Sequence, residues 1–299
     1  MKDSSQTKSS FEHKWNSFHD YQTGGSSSFD EDTLNWIVSR NGFQSLDQLA
    51  QYLKNFKVIL DAGCGNGRIL KLFSELVDSS QSLHGFDYAT ADVAEKNLGK
   101  LAKSVVAADL MDPVSLKDLE NPDFIYCQEV LHHTSDPARA FRNLVDILNP
   151  SGEIAIYVYK EKAPIREFTD DYVRNIIESM GPDEAMDLTN DFAQFGKALS
   201  ALDVQVETSG IRVLGIPAGR YDVQRLFYNF FLKCYWNSEL GPKENNMVNF
   251  DWYHPSECSR HTLDEVRRWY TDNNLQVIHE CVDEYGITLR GIKPGKSKK

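Results

Sequence analysis

The sequence contains little cysteine, and the few cysteines do not fall into a metal-binding or disulfide pattern. Five of the 299 residues are cysteine, at positions 64, 127, 234, 258 and 281. No two of them form a Cys-x-x-Cys pair, and their number is odd. This spacing predicts neither a disulfide framework nor a zinc site. We therefore expect no metal and a reducing compartment, the cytoplasm.

Long apolar runs are also missing. No run approaches the roughly 18 residues that would span a bilayer, and the first ten residues are polar and lack the apolar stretch of a signal peptide. Hydrophobic residues make up 41 % of the chain and charged residues 25 %. These are ordinary values for a globular protein with a packed core, so we predict no association with a membrane.

Positive charge is scarce. The chain has 32 Lys and Arg against 44 Asp and Glu, which gives a net charge of −12, and the one basic cluster is the short tail 293–299. Because Lys and Arg contacts to phosphates dominate nucleic-acid affinity, this balance argues against a DNA or RNA substrate.

Strand and helix patterns alternate, with short loops, between residues 58 and 159. The pattern predicts a parallel sheet covered by helices on both faces, a doubly wound Rossmann-like α/β fold. After residue 159 the alternation stops for about a hundred residues, and a helix over 262–272 then precedes an antiparallel strand pair, for seven strands in all. The predicted strands are 58–60, 83–87, 105–109, 122–127, 153–159, 276–282 and 287–291.

A glycine-rich turn follows the first predicted strand. The sequence Val58-Ile59-Leu60-Asp61-Ala62-Gly63-Cys64-Gly65-Asn66-Gly67-Arg68 places three glycines at alternate positions between a buried strand and a helix. Glycine permits positive φ and a close approach of the backbone to a ligand. The start of the helix also presents free N–H groups to a polar cofactor. The strand–turn–helix context supports a cofactor site, whereas a tight turn without a ligand is the simpler alternative.

This segment resembles the first motif of the class I S-adenosylmethionine-dependent methyltransferases. The motif reads apolar-apolar-Asp/Glu-x-Gly-x-Gly-x-Gly, and Leu60 to Gly67 matches every fixed position. The resemblance implies S-adenosylmethionine as the cofactor. It also implies that Asp61 binds the amino group of the methionine part, directly or through water.

Three later positions agree with the same family. The resemblance implies that Asp87, with Tyr88 beside it, accepts the ribose hydroxyls, and that Asp109, with Leu110 beside it, contacts adenine. Simpler alternatives are a helix N-cap for Asp87 and a solvated turn for Asp109. Residues 123–133 resemble the fourth motif, and its loop begins at Gln128, a candidate cofactor-binding residue. The resemblance implies that the methyl group and the acceptor meet at this loop.

His132 and His133 lie in that loop. A histidine titrates near neutral pH and could take a proton from an acceptor hydroxyl or amine, so both are candidate general bases. Loop packing is the alternative, because methyl transfer mainly needs in-line placement of acceptor and methyl group.

The region 161–260 is predicted to be a helical cap inserted between the fifth strand and the last core helix. Helical patterns cover 165–180, 183–201 and 221–236, and the family usually recognises its acceptor at this point. An aromatic core for the inserted helices is the alternative reading. The candidate acceptor-binding residues are Arg220, Tyr221, Trp252, Tyr253, His254 and His261.

The chain is accordingly divided into four parts. Residues 1–54 form an N-terminal helical segment in which Trp15, Phe18 and Tyr21 could cover the cofactor, with residues 1–10 disordered. Residues 55–160 are the cofactor-binding core, 161–260 the cap, and 261–299 the last core helix, the strand pair and a basic tail.

We therefore predict a methyltransferase that moves a methyl group from S-adenosylmethionine to an O or N atom of a small-molecule acceptor, as a monomer or homodimer. Two alternatives stay open. One is a methyltransferase acting on tRNA, rRNA or protein, and the other is a non-catalytic cofactor-binding scaffold. The sequence does not identify the acceptor or the atom that is methylated.

Overall fold

The computed structural model describes residues 4–18 and 27–295. The chain forms two compact units. The core unit comprises residues 14–160 and 259–299, and the inserted unit comprises residues 1–13 and 161–258. The predicted N-terminal segment 1–54 is therefore divided after residue 13. None of the helices in the described parts of the chain is long and apolar enough to cross a membrane.

The elements follow one another in this order. The first part of the chain contains α1 (Ser4–Ser17), α2 (Ser27–Arg40), α3 (Leu46–Leu53), β1 (Val58–Ala62), α4 (Arg68–Ser74), β2 (Ser82–Asp87), α5 (Ala91–Leu98), β3 (Ser104–Ala107), β4 (Phe124–Gln128), α6 (Pro137–Ile147) and β5 (Glu153–Tyr159). The inserted region contains α7 (Pro164–Ile177), α8 (Pro182–Ser200), β6 (Gln205–Thr208), β7 (Gly219–Asp222), α9 (Val223–Phe230) and α10 (Pro242–Tyr253). The chain closes with α11 (Leu263–Asp272), β8 (Gln276–Val282) and β9 (Gly286–Ile292).

The core unit is built on a seven-stranded sheet with the order β3-β2-β1-β4-β5-β9-β8. The first five strands are parallel, and β9 runs antiparallel to both β5 and β8. The predicted doubly wound sheet of seven strands is confirmed. The strand order reverses direction at β1, which places the carboxyl ends of β1 and β4 at a topological switch point, where such sheets bind ligands.

Both faces of the sheet are buried, which explains the continuous apolar runs in its strands. On one face, Leu60 and Ile125 pack with Phe141 of α6 and Trp269 of α11. On the other face, Ile59 and Phe124 pack with apolar residues of α2, α3 and α4.

Two helices of the core unit begin at a side-chain cap, and each cap lies three residues before a Gln or Glu, a pattern typical of a helix start. The Ser45 side chain accepts a hydrogen bond from the Gln48 N–H at the start of α3, and the Thr262 side chain accepts one from the Glu265 N–H at the start of α11. A side-chain acceptor at the N-cap satisfies one of the free N–H groups of the first turn.

Parts of the inserted region differ from the sequence prediction. The helix predicted over 221–236 covers only 223–230, because residues 219–222 pair with β6 as an antiparallel hairpin. The segment 241–249 is rich in Gly, Pro and Asn, a composition typical of a loop, but α10 begins at Pro242 and includes the rest of this segment. Gly241 and Pro242 begin this helix instead of breaking it. The Asn245 side chain bonds to backbone carbonyls at its start, which is why an asparagine-rich stretch is helical here.

The prediction of disorder over residues 1–10 was also wrong for the described residues, because α1 begins at Ser4. Two of its polar side chains, Thr7 and Ser10, are buried within the inserted unit. Thr7 bonds to Ser256, and Ser10 bonds to His254 at 2.9 Å. A polar segment is ordered here by specific hydrogen bonds, which composition does not reveal.

Candidate cofactor and active site

The glycine turn after β1 is held against the end of β2. Gly63 and Cys64 both donate their N–H groups to the Phe86 carbonyl at 2.9 Å, and Gly67 donates to the Cys64 carbonyl at 2.8 Å. Gly63, Gly65 and Gly67 have φ angles of 80°, 56° and 87°. Positive φ at three alternate positions explains the glycine spacing in the sequence.

Close approach is the second reason for these glycines. A Cβ atom on Gly63 would overlap the side chain of Val130, and one on Gly67 would lie 2.9 Å from Leu98. A Cβ atom on Gly65 would lie 3.1 Å from the indole of Trp15. The turn therefore has no room for larger residues at its first and last glycines.

Trp15, at the end of α1, is the N-terminal aromatic residue that reaches the glycine turn. Its half-buried ring lies beside Gly65, and the Lys14 ammonium lies 4.0 Å from the ring centre. The suggested cover over the cofactor included Tyr21, which lies outside the described residues. Covering of the cofactor by this segment stays a prediction.

Asp61 carries an unsatisfied charge at the end of β1. Its side chain is 3 % exposed, and its Oδ2 atom has no hydrogen-bond partner among the described residues. Burial and, to a smaller extent, the nearby Asp87 carboxylate raise the pKa of Asp61 to about 7, although Arg68 acts in the opposite direction. A buried oxygen of this kind is costly unless a cation or donor meets it, which fits the amino group of a bound amino acid.

Asp87, at the end of β2, is tied to the backbone on both sides. Its Oδ2 accepts the Gly65 N–H at 2.9 Å, and its Oδ1 accepts the N–H groups of Ala89 and Thr90 at 2.8 and 2.9 Å. The carboxylate thereby joins the glycine turn to the loop before α5. Tyr88 is 42 % exposed beside it. Ribose binding at Asp87 and Tyr88 stays a prediction.

Asp109 and Leu110 follow β3. The Asp109 Oδ1 atom accepts the Met111 N–H at 2.8 Å, which forms a local turn. The Leu110 side chain is buried in the core, and its carbonyl accepts a hydrogen bond from Asn143. The partly buried Asp109 is therefore the better placed of the two to meet a ligand, and adenine contact stays a prediction.

The backbone at the end of β4 is strained at one residue. Glu129 has a φ of 58°, which is uncommon for a residue with a side chain and occurs often at functional sites. The next residue, Val130, packs against Gly63. On the other side, Gln128 accepts a hydrogen bond from the Tyr126 hydroxyl through its Oε1 atom. The Glu129 strain was missed by the sequence analysis, and no residue type in the loop signals it.

His132 and His133 form a short 3-10 turn at the carboxyl end of β4. His132 is fully buried, and its ring stacks on Tyr159 with centroids 3.8 Å apart. Its carbonyl accepts the Ser259 N–H at 2.8 Å. His133 is partly exposed, with its ring 4.4 Å from that of His132. The buried His132 ring contributes to packing of the turn, whereas the partly exposed His133 is better placed to meet an acceptor and is the stronger candidate for a general base.

His261 joins this group within the core unit. The ring nitrogens of His261 meet the Ser259 hydroxyl at 2.8 Å and the Glu265 carboxylate at 3.0 Å. Because Ser259 also bonds to the His132 carbonyl, the end of β4 and the start of α11 are linked by one chain of hydrogen bonds. Of the six candidate acceptor-binding residues, only His261 lies in the core unit.

The other five candidates belong to the inserted unit, and three of them are interior. Trp252 and Tyr253 donate to the Asp170 carboxylate at 2.7 and 2.9 Å, and His254 bonds to Ser10. All three are at most 2 % exposed. Their polar atoms stabilise the packed interior, as the alternative reading expected. Arg220 and Tyr221 lie on β7, and the Tyr221 hydroxyl donates to the Pro217 carbonyl.

The fold and the glycine turn define the class of the protein. The sheet has five parallel strands, with positive-φ glycines after β1, an unsatisfied buried oxygen on Asp61 and a second carboxyl group at the end of β2. This is the arrangement expected for the cofactor site of a class I methyltransferase. Residues 44–196 match the model of the methyltransferase domain family, which is half of the chain. The chain belongs to this family, and it is an enzyme that uses S-adenosylmethionine as its methyl donor.

Curated relatives share parts of the chain. The chain is 26 % identical, over 174 residues, to the ubiquinone biosynthesis O-methyltransferase of Coxiella burnetii (strain RSA 331 / Henzerling II). The aligned stretch covers 55 % of this chain and 68 % of that protein. It is also 37 % identical, over 100 residues, to the tRNA U34 carboxymethyltransferase of Campylobacter hominis. This aligned stretch covers 33 % of this chain and 34 % of that protein.

A solved O-methyltransferase family protein from Burkholderia thailandensis is 13 % identical, with a TM-score of 0.48. That match covers 95 % of this chain and 64 % of the other, so the chain spans less than two thirds of its length.

Proposed function

We propose that the enzyme methylates an O or N atom of a small-molecule acceptor at the carboxyl ends of β4 and β5. The observation that carries this proposal is the aromatic cluster on the turn after β4 and at the end of β5, in which His132 stacks on Tyr159 and His133 lies beside them. A neutral organic acceptor fits such a surface better than a polyanion does.

Charge and similarity support the same class of acceptor. The net charge of −12 disfavours the phosphate contacts that dominate nucleic-acid binding. The relative matched over the longer stretch is named for O-methylation in ubiquinone biosynthesis.

The chain's own residues supply binding and orientation. When bound, S-adenosylmethionine supplies a methyl group activated by a positively charged sulfur. The Asp61 carboxylate would bind the amino group of the cofactor. Asp87, which holds the glycine turn in place through the Gly65 N–H, would accept the ribose hydroxyls. Orientation of donor and acceptor in line can supply much of the acceleration of such a transfer.

Proton removal is assigned to His133. Its partly exposed ring lies on the 3-10 turn after β4, and the buried His132 fixes that turn by stacking on Tyr159. An acceptor hydroxyl would lose its proton to His133 as the methyl group is attached. A neutral amine acceptor could be methylated before it loses a proton, and would depend less on this residue.

A tRNA substrate is the second candidate, because the 37 % identity to a tRNA U34 carboxymethyltransferase is the higher of the two, although it covers 33 % of the chain. The discriminating feature is a basic face, which the sequence does not provide outside the tail 293–299.

Turnover tests the proposal. The purified enzyme would be incubated with labelled S-adenosylmethionine and either a panel of phenols, hydroxyquinones and amines or bulk bacterial tRNA. Transfer of label to a small molecule supports the proposal. Transfer to tRNA alone would overturn it, and so would saturable cofactor binding with no transfer to any small acceptor.

A further inference from the structure

A small cavity lies beneath α2 in the core unit, on the same face of the sheet as Asp61. Its walls come from α2 and the residue after it, and from the strands β4, β5 and β9. The residues that line it are Trp36, Arg40, Asn41, Tyr126, Gln128, Ile156, Tyr157 and Thr288. None of the roles assigned above uses the α2 residues or Thr288.

Two buried polar atoms of these lining residues are unsatisfied. Arg40 is 7 % exposed and Asn41 is 4 % exposed, yet Nη1 of Arg40 and Oδ1 of Asn41 have no hydrogen-bond partner among the described residues. One atom is a donor and the other an acceptor. Since a buried unsatisfied group costs about 1–3 kcal/mol, such a pair favours a ligand that can both accept and donate.

The Arg40 guanidinium is fixed in place by its neighbours. Its Nη2 atom pairs with the Asp283 carboxylate at 2.6 Å, and its carbon atom lies 3.8 Å from the Trp36 ring centre and 4.5 Å from the Tyr157 ring centre. Nη1 is the nitrogen of this fixed guanidinium that has no hydrogen-bond partner among the described residues. Because Asp283 already balances the charge of Arg40, the site favours a neutral group over an anion.

Size and chemistry together define the ligand group. The cavity has room for about one water-sized group, such as one oxygen atom and its hydrogen. Burial raises the pKa of the Tyr157 hydroxyl well above its ordinary value, so this wall stays neutral. A hydroxyl group matches the chemistry of both unpaired atoms, because it can accept from an arginine N–H group and donate to an amide oxygen.

The position relative to the cofactor site follows from strand register. Asp61 pairs with Tyr126, and Gln128 follows two residues later on the same face of β4. Strands lie about 4.8 Å apart and rise about 3.3 Å per residue, which places the Gln128 Cα about 8 Å from the Asp61 Cα. This is within the reach of one small acceptor molecule.

We infer that this cavity is a specificity subsite for a hydroxyl substituent of the methyl acceptor, held by Arg40 Nη1 and Asn41 Oδ1. The bound hydroxyl is not the one that is methylated, because an oxygen enclosed by these groups has no open side for in-line attack. The inference rests on the proposed function, and it narrows the acceptor to molecules that carry a second hydroxyl group.

Binding to the protein saturated with S-adenosylhomocysteine tests the subsite without requiring turnover. The probes are phenol and its three dihydroxy analogues, and the measurement is calorimetric affinity. At least one dihydroxy probe should bind about five- to tenfold more tightly than phenol, as expected for one or two additional hydrogen bonds. Asn41→Ala removes the hydrogen-bond acceptor Oδ1, and Thr288→Ile fills the cavity with a larger side chain. Each variant should abolish the preference for the dihydroxy probe.

The matched control is Thr189→Val in the inserted unit, where a fully buried threonine also loses its hydroxyl. It should leave the preference unchanged. Equal affinity for phenol and all dihydroxy probes would overturn the inference, as would a crystal structure with a dihydroxy probe that shows only water beside Arg40 Nη1.

These outcomes separate the subsite from the proposed function. A dihydroxy preference that Asn41→Ala removes, without methylation of any small molecule, supports the subsite and contradicts the proposed function. Methylation of small molecules with no such preference supports the proposed function and overturns the subsite.

Discussion

The N–H group of Gly65 donates to the Asp87 carboxylate at 2.9 Å, so the predicted ribose-binding acid also fixes the middle of the glycine turn. The same carboxylate accepts two further N–H groups from the loop before α5. Loss of this acid should therefore disturb two parts of the cofactor site together.

Asp87→Ala should weaken S-adenosylmethionine binding by roughly 10- to 100-fold, because hydrogen bonds to a charged group contribute about 1.5–3 kcal/mol. Asp87→Asn retains one acceptor oxygen and should lose less. Calorimetric titration of both variants checks the order. Equal affinities in wild type and Asp87→Ala would show that the carboxylate contributes only to the turn.

Asp61 should make cofactor affinity depend on pH near neutrality. Its pKa is raised to about 7 in the unliganded protein, and only the ionised form attracts the amino group of the cofactor. Affinity should therefore rise by about tenfold per pH unit below 7 and become flat above it. Titration calorimetry between pH 5.5 and 8.5 measures this slope. Asp61→Asn should remove the pH dependence. The control Asp118→Asn, at an exposed site, should retain it.

The same group should affect stability with a defined sign. A carboxyl whose folded pKa lies above its unfolded value of 3.8 binds more protons in the folded state, so its contribution is full below pH 4 and is lost as the pH rises through 7. Asp61→Asn should thus increase the free energy of unfolding of the unliganded protein at pH 8 by roughly 1–3 kcal/mol, which raises its melting temperature. An unchanged or lower melting temperature at pH 8 would contradict the raised pKa.

The glycine turn should not tolerate a methyl group at its first position. In Gly63→Ala the new Cβ overlaps Val130 and the residue keeps a φ of 80°, so cofactor affinity should fall by at least about 100-fold. Gly181→Ala is the matched control, because a Cβ there meets nothing within 4 Å and its φ is −67°. If both variants bind the cofactor like the wild type, the turn is not the binding site.

The two adjacent histidines should respond differently to replacement. His132→Leu removes a buried ring that stacks on Tyr159 and should destabilise the fold by roughly 1–3 kcal/mol, while the folded fraction still binds cofactor. His133→Gln should leave the melting temperature unchanged and lower kcat by about 100-fold for a hydroxyl acceptor. Full turnover by His133→Gln would exclude it as the base.

The core could be predicted from sequence because each of its signals is local. Each signal specifies one short segment: the apolar run Val58–Leu60, the glycine spacing that follows it, and the cap at Thr262. The alternation of such segments determines the doubly wound sheet. The positions of the acids at 61 and 87 could be predicted for the same reason, since each lies at the end of a strand, whereas their contacts with the cofactor stay predictions.

The inserted region could not be predicted as well because distant contacts decide it. Residues 241–249 contain Gly, Pro and Asn, yet Asn245 and Asn249 are fully buried and bond to backbone groups of residues 235–241. Trp252 and Tyr253 were predicted to bind the acceptor because of their residue types, but Asp170 on α7 holds both in the interior. Arg40 and Asn41 gave no signal, because nothing in the sequence places them beside β4 and β5.

Asp170 is the residue on which the interior of the inserted unit most depends. It is 1 % exposed, and its Oδ2 atom pairs with Arg166 Nε at 2.6 Å and accepts from the Trp252 indole. Its Oδ1 atom accepts the Lys233 N–H and the Tyr253 hydroxyl at 2.9 Å each. Asp170→Asn leaves the Arg166 charge buried without its counter-ion, which should cost about 3–5 kcal/mol.

Chemical denaturation measures this cost, and Asp171→Asn, next to it on α7 but exposed, is the matched control. The double variant Asp170→Asn with Arg166→Met should recover part of the loss, because it removes the uncompensated charge and leaves an apolar side chain of similar length. Cofactor affinity should stay unchanged in the folded fraction of each variant, since every predicted cofactor-binding residue lies in the core unit. A single variant as stable as the wild type would show that the buried pair does not hold this unit together.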